Sequence, residues 1–293
     1  ILSLIKTFPV ILSSFIKILG REKSNDGATT RTSKSINQKV IWIAILLILI
    51  LLWLSPIVPI NFSGALIIVA FGFFFATVSS RMVGLVGSSN NPVSGMAIAT
   101  LILTAVIFKN TGMEISQALV GTIVVGSIIC IIAAIAGDTS QDLKTGYIVG
   151  ATPYKQQIGE IIGVIASSLA ISGVLYLLSN AWGFGSDELP APQATLMKIV
   201  VEGVMEGNLP WNLIMIGAAL AVSVEFLGVP ALPFAVGMYL PIHLSAGIMV
   251  GGLVRYLVDK FAKKEVDRGI LFASGMIAGE GLVGIILAIK EVL

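Results

Sequence analysis

The chain has few charged residues for its length. Of its 293 residues, 12% are charged and 56% are hydrophobic, and the mean hydropathy is +0.98. Soluble domains carry about 25% charged residues. This chain therefore cannot cover a water-facing surface, and we interpret it as an integral membrane protein. The net charge of +2 provides no basic surface for nucleic acid.

Cysteine and histidine are almost absent. Cys130 has no second cysteine for an internal disulfide, and His243 is the only histidine. A metal site needs three or four convergent ligands, so we predict neither a metal nor a cofactor. The sequence also lacks a P-loop and a dinucleotide-binding fingerprint. Its carboxylates are scattered, whereas an intramembrane enzyme would need paired catalytic groups, so we predict a protein that is not an enzyme.

Long apolar segments make up most of the chain. They lie at 40–58, 62–80, 93–108, 116–136, 158–178, 211–228, 230–254 and 268–289. A helix needs roughly 17–25 residues to cross the hydrocarbon, and lipid-facing backbone must be helical. We therefore predict an all-α, polytopic membrane protein with about seven or eight transmembrane segments. Residues 1–39 are predicted to form a cytoplasmic interfacial helix and a solvated linker, and residues 40–293 the transmembrane domain.

Lysine and arginine predict which side of the membrane each loop faces. The basic residues before position 40 place that region in the cytoplasm, and counting crossings places Lys144 and Lys155 there as well. The acidic loop 179–210 falls outside. The basic cluster from Arg255 to Arg268 returns to the cytoplasm only if 230–254, which contains Pro241, is a broken or re-entrant helix. We predict that it is.

Glycines recur at four-residue spacing in several of these segments. The pairs are Gly159 with Gly163, Gly247 with Gly251, and Gly275 with Gly279. Small residues at this spacing let membrane helices approach closely. We interpret most of these pairs as ordinary packing positions.

The stretch GSSNNPVSGM, residues 87–96, interrupts the apolar pattern with polar groups that hydrocarbon cannot satisfy. Pro92 stops helix continuation, and the N-terminal end of the helix that follows favours anionic groups. Broken helices form the substrate sites of secondary transporters. We predict that Asn90, Asn91 and Ser94 contact the substrate. The alternative is a cytoplasmic turn that only caps the next helix.

Ionisable residues within apolar segments give a second signal. A charge at the bilayer centre costs at least about 2.5–3.5 kcal/mol, so such residues usually face a cavity and serve a function. Glu280, flanked by Gly279 and Gly281, and Glu225 are the predicted proton-coupling residues, with Arg81 as a counter-charge. The alternatives are a Glu280 that is only hydrogen-bonded inside the bundle and an Arg81 that extends to the interface.

Several sequence blocks follow one another from about Val78 to the C-terminus. They are SSRMVGLVGSSNNPVSGMAIATLILTA, AGDTSQDLKTGYIVGATPYKQQIGEIIGV, EFLGVPALPFAVGMYLP and GILFASGMIAGEGLVGIILA. Together they resemble the prokaryotic branch of the oligopeptide transporter family, which is related to the yellow stripe-like metal–chelate transporters. Eukaryotic peptide-transporting members carry Asn-Pro-Gly, whereas Asn91-Pro92 is followed here by Val93. Their substrate preference is therefore not carried over.

The resemblance implies a secondary active transporter in the cell membrane that imports short oligopeptides together with protons. Import of a metal chelate by the same fold and a non-transporting structural subunit are the alternatives. Family members are longer, so the resemblance implies that this chain is the C-terminal part of a transporter. The expected partners are a peptide-like substrate, protons, lipid and the N-terminal part of the same transporter, and a homo-oligomer stays open.

Overall fold

The fold is all-α in the part of the chain that is described. The structure is a computed structural model that describes residues 31–55, 59–87, 91, 93–186, 188–229, 231–261 and 266–292. After a single 3-10 turn at Arg31–Ser33, its helices are α1 Gln38–Leu54, α2 Phe62–Val86, α3 Val93–Asn110, α4 Ile115–Val149, α5 Pro153–Ala181, α6 Pro192–Glu206, α7 Trp211–Phe226, α8 Ala231–Tyr239, α9 Ile242–Phe261 and α10 Val266–Val292. The predicted fold class is confirmed.

Most of these helices are long enough to cross a membrane. Among the described residues, 6 helices have the length and apolar composition of a membrane span, namely α1, α2, α4, α5, α9 and α10. α3 and α7 are shorter apolar helices. Each predicted apolar segment corresponds to one helix, except that 230–254 contains α8 and most of α9. The predicted interfacial helix at the N-terminus lies outside the described residues.

Two polar regions that were predicted from hydropathy to be loops are largely helical. α4 does not end near 136 but continues to Val149, so the connection to α5 is only residues 150–152. The predicted outer loop 179–210 contains the helix α6. Hydropathy missed both because it detects only the apolar part of a helix. α6 is amphipathic, with Val201 and Met205 buried and an exposed Lys198–Glu202 ion pair at 3.7 Å.

Two compact units divide the chain. The first comprises the described residues up to Ser167 together with Met197–Leu209, and the second comprises Ser168–Leu196 and the residues from Pro210 onwards. In the first unit, α2 and α4 run parallel, because Gly72 faces Ile132 and Ser80 faces Ser140 further along both helices. α3 is antiparallel to α4, because Leu101 faces Gly126 while Phe108 faces Gly121.

Small residues on one face of α4 allow this close packing. The buried positions of α4 recur every three or four residues, as one helix face requires, and they are Ala118, Gly121, Thr122, Val125, Gly126, Ile129, Ala133, Gly137 and Gly146. A Cβ at Gly121 would lie 2.5 Å from the Pro59 carbonyl oxygen and 3.0 Å from the Phe108 ring. Glycine is therefore required at this contact.

The second unit contains the predicted broken helix. α8 ends at Tyr239, Leu240 and Pro241 are not helical, and α9 begins at Ile242. Across the break, the Ser245 hydroxyl donates to the Gly237 carbonyl oxygen at 3.3 Å. The break at Pro241 is confirmed, whereas the re-entrant path through the membrane stays a prediction.

Candidate substrate site at the α2–α3 break

Asn91 joins three helices at the start of α3. Its side-chain nitrogen Nδ2 donates to the Ser79 hydroxyl oxygen of α2 at 2.7 Å and to the Ala133 carbonyl oxygen of α4 at 3.3 Å. The Ser79 hydroxyl itself donates to the same Ala133 carbonyl oxygen. The Asn91 side-chain oxygen Oδ1 is buried and has no hydrogen-bond partner among the residues that the structure describes. The site thus presents one unused acceptor beside a fully bonded amide nitrogen.

The local sequence explains why the chain breaks here. α2 ends at Gly87, whose φ of 89° suits glycine because no Cβ interferes. Its N–H donates to the Val83 carbonyl oxygen at 2.9 Å and completes the last turn. On the other side of the break, the Val93 N–H donates to the Asn91 carbonyl oxygen at 2.8 Å as α3 begins. The Asn91 side chain is then directed toward the bundle, where it meets Ser79.

Gly137 of α4 provides the space that the Asn91 side chain occupies. A Cβ at Gly137 would lie 2.7 Å from Asn91 Nδ2 and 2.9 Å from both Ser79 Oγ and Val83 Cγ2. One turn further along, the Ser140 hydroxyl donates to the Ser80 carbonyl oxygen at 2.6 Å. Polar contacts between α2 and α4 therefore continue from the Asn91 amide toward the C-terminal end of α4.

The site lies where α4 changes from apolar to polar. The apolar run ends at Ala136, and GDTSQDLKTG begins at Gly137. α4 has 35 residues, which is about 52 Å of helix, and the hydrocarbon core is about 30 Å thick. The helix is therefore longer than a membrane span requires, and Asn91 contacts it where its apolar run ends.

The other predicted substrate residues are placed only in part. Asn90 lies outside the described residues. Ser94 lies in the first turn of α3, but its side chain is not among those described. Arg81 lies on α2, half-buried, next to the Ser80 that contacts Ser140. The structure thus brings Asn91 and Arg81 into the same unit.

Glu225 and Glu280 both belong to the second unit. The Glu225 carboxylate accepts a hydrogen bond from the Ala231 N–H at 3.2 Å, so it caps the first turn of α8. Glu280 lies in the middle of α10 and is exposed. Among the described residues, the structure records no hydrogen bond or ion pair for its carboxylate.

Sequence reasoning missed several polar residues that the bundle buries. Ser79, Thr100, Thr104 and Thr122 are all fully buried. Within the described part of the chain, the hydroxyls of Thr104 and Thr122 have no hydrogen-bond partner. A signal for the threonines was available, because Thr100 and Thr104 are four residues apart on α3 and share one helix face.

Metal ligands do not converge in the part of the chain that is described. Groups of three or more histidine, cysteine, aspartate or glutamate side chains able to hold a metal ion do not occur among those residues. The polar groups at the α2–α3 break are an amide, hydroxyls and backbone carbonyls. Such groups are hydrogen-bond donors and acceptors.

Comparisons with known proteins confirm the resemblance to the oligopeptide transporter family. The family description "OPT oligopeptide transporter protein" matches residues 3–290. A Haemophilus influenzae protein, provisionally named an oligopeptide transporter, is 34% identical, and the match covers 74% of this chain and 41% of that protein. No solved structure matches this chain significantly.

Plant relatives are more distant. An Arabidopsis thaliana protein, provisionally named metal-nicotianamine transporter YSL5, is 29% identical over 58% of this chain and 27% of its own length. A similarly named Oryza sativa protein, YSL14, is 29% identical over 58% of this chain and 26% of its length. The chain thus spans well under half the length of these relatives. With its apolar helices and its family match, it belongs to the OPT oligopeptide transporter family and is a multi-pass membrane protein.

Proposed function

We propose that this chain forms part of a secondary active transporter that imports short oligopeptides, with Asn91 as a substrate contact. The observation that carries the proposal is the Asn91 side-chain oxygen, which is buried at a helix break and accepts no hydrogen bond from the described residues. A buried acceptor without a donor is costly, by about 1–3 kcal/mol. A peptide N–H or a terminal ammonium group supplies the missing donor. Asn91 Nδ2 is already held by Ser79 and Ala133, so the amide is oriented before the substrate arrives.

Proton coupling is the second part of the proposal, and it rests on Glu280. The carboxyl lies in the middle of a helix of membrane-spanning length, where a permanent charge facing lipid is costly. A carboxyl that takes up a proton on one side of the membrane and releases it on the other is uncharged while it faces the hydrocarbon, so it avoids that cost. Glu225 is the weaker candidate, because its carboxylate already caps α8.

Uptake of a labelled tetrapeptide by the full-length transporter in proteoliposomes tests the substrate contact. Asn91→Ala removes the acceptor, and we expect uptake to fall by at least about ten-fold, which corresponds to 1.4 kcal/mol. Asn110→Ala, at the exposed other end of α3, is the matched control and should retain uptake. Equal uptake by both variants would show that Asn91 does not contact the substrate.

Metal–chelate import is the alternative that the plant relatives favour, because their names assign metal-nicotianamine transport. Amino-acid-derived chelators also carry amine and carboxylate groups, so hydrogen bonds to Asn91 do not separate the two substrates. A competition experiment does separate them. If an iron complex displaces the labelled tetrapeptide and is itself accumulated, the substrate is a metal chelate and not a peptide.

A further inference from the structure

The segment before α1 is held against the turn between α4 and α5. We call residues 31–37 the strap. The Arg31 guanidinium donates to the Gly150 carbonyl oxygen at 2.8 Å and to the Thr152 hydroxyl at 3.2 Å. The Tyr154 N–H donates to the Lys34 carbonyl oxygen, and the Ile36 N–H donates to the Gln157 side-chain oxygen, both at 2.9 Å. The strap is exposed to solvent, but these contacts fix its path.

A cavity of about 670 Å³ opens along the strap. Pockets of about 300–1,000 Å³ are typical of small-molecule sites. The described residues that line it are Arg31, Ser33, Lys34, Ser35, Ile36, Asn37 and Gln38. This lining contains two cationic side chains and several hydroxyl and amide groups, and no carboxylate is among the described lining residues. The chemistry of the cavity therefore suits an anion with several oxygen atoms.

The cationic groups are positioned by the fold. Arg31 is anchored by its bonds to Gly150 and Thr152, and the Lys34 ammonium lies 5.4 Å from the centre of the Tyr154 ring. A cation at this distance from an aromatic face is stabilised by the ring. The two side chains are therefore already ordered before an anion binds, which reduces the entropic cost of binding.

The cavity also lies beside the start of a helix of membrane-spanning length. Lys39 is the last charged residue before the apolar body of α1, which runs to Leu54. Lys155 follows the turn that the strap contacts, so basic residues from two segments meet at one end of the bundle. Basic residues beside a membrane-spanning helix attract anionic lipid headgroups.

We propose that the strap cavity binds the phosphate group of an anionic phospholipid headgroup, with Arg31 and Lys34 as the charge partners. The phosphate oxygens accept from the guanidinium, the ammonium and the Ser35 hydroxyl, and the acyl chains lie against the exposed apolar surface of α1. Residues such as Trp42, Ile43 and Leu46 of that surface are exposed in the structure.

Lipid retention by the full-length transporter tests this proposal. The protein is reconstituted in nanodiscs containing phosphatidylglycerol and phosphatidylcholine, extracted gently, and analysed for bound lipid by native mass spectrometry. Lys34→Gln should lower the retained phosphatidylglycerol by about five-fold, the effect of one basic group near the surface. Lys34→Arg should restore it, because the charge is kept. Lys144→Gln removes one exposed positive charge from the polar end of α4, outside the cavity, and should leave retention unchanged.

Three outcomes separate the possibilities. Loss of phosphatidylglycerol with Lys34→Gln alone supports the proposal. Equal loss with Lys34→Gln and Lys144→Gln overturns it, because general surface attraction would then explain binding. A third arm adds inorganic phosphate to the protein in neutral detergent. Saturable binding of phosphate that phosphatidylglycerol does not displace would also overturn the lipid assignment, because the cavity would then hold a soluble anion.

Discussion

The Asn91 side-chain nitrogen lies 2.7 Å from the Ser79 hydroxyl oxygen. The first residue lies at the start of α3 and the second on α2, so this bond closes the break between the two helices from inside the bundle. The same nitrogen would lie 2.7 Å from a methyl group at Gly137 of α4. The Asn91 side chain can therefore take this position only because residue 137 of α4 has no Cβ.

The glycine in this contact should be intolerant of substitution. Gly137→Ala places a Cβ against Asn91, Ser79 and Val83, and overpacking of this kind costs roughly 1–3 kcal/mol. We expect a lower thermal unfolding temperature and reduced peptide uptake in the full-length protein. Gly163→Ala is the control, because a Cβ there meets no described atom within 4 Å. An unfolding temperature that is the same for Gly137→Ala as for the parent would contradict the contact.

Removing the titration of Glu280 should uncouple transport from the proton gradient. Glu280→Gln keeps the shape of the side chain and cannot take up a proton. We expect it to abolish accumulation driven by an imposed pH gradient and to leave peptide counterflow largely intact. Glu291→Gln, near the C-terminal end of the same helix, should behave as the parent. If Glu280→Gln still concentrates peptide as steeply as the parent, Glu280 is structural.

Glu225 should act as a helix cap. Its carboxylate accepts from the Ala231 N–H at 3.2 Å. Glu225→Gln keeps an acceptor oxygen and should retain gradient-driven uptake, whereas Glu225→Ala should destabilise the protein by about 0.5–2 kcal/mol. Thermal unfolding and uptake of both variants check this. Loss of uptake in Glu225→Gln with an unchanged unfolding temperature would instead assign proton coupling to Glu225.

The broken helix should return to the side from which it enters. α8 has 9 residues, which is about 14 Å of helix. The part of α9 before Arg255 covers only about 20 Å, although α9 as a whole is long enough to span. In a Cys130→Ser background, cysteines at Lys260 and Glu188 should react with impermeant reagents from opposite sides. Labelling of both positions from the outside would exclude the hairpin.

The helix break before α3 could be located from the sequence, but the hydrogen-bond partners of Asn91 could not. The polar stretch around Asn91 is a local property of the chain, and it correctly marked a helix break. Ser79 and Ala133 become partners of Asn91 only through the register of three packed helices. That register depends on where small residues of α4 meet larger ones, such as Gly126 against Leu101. No local pattern contains this information.

The spacing of the glycines also predicts only part of the helix packing. A four-residue spacing marks Gly159 with Gly163, yet a Cβ at either position meets no described atom within 4 Å. Two glycines of α4 that do pack closely, Gly121 and Gly126, are five residues apart. Spacing shows which faces permit close approach, whereas the neighbouring helix decides which of them is used.

The length of α4 also decides what its far end contacts. The helix meets Asn91 at Gly137 and continues to Val149, about 18 Å further along its axis. Beyond its end, the Gly150 carbonyl oxygen accepts a hydrogen bond from Arg31. Because the strap leads directly into α1, this bond ties the start of α1 to the far end of α4 through hydrogen bonds rather than through apolar packing.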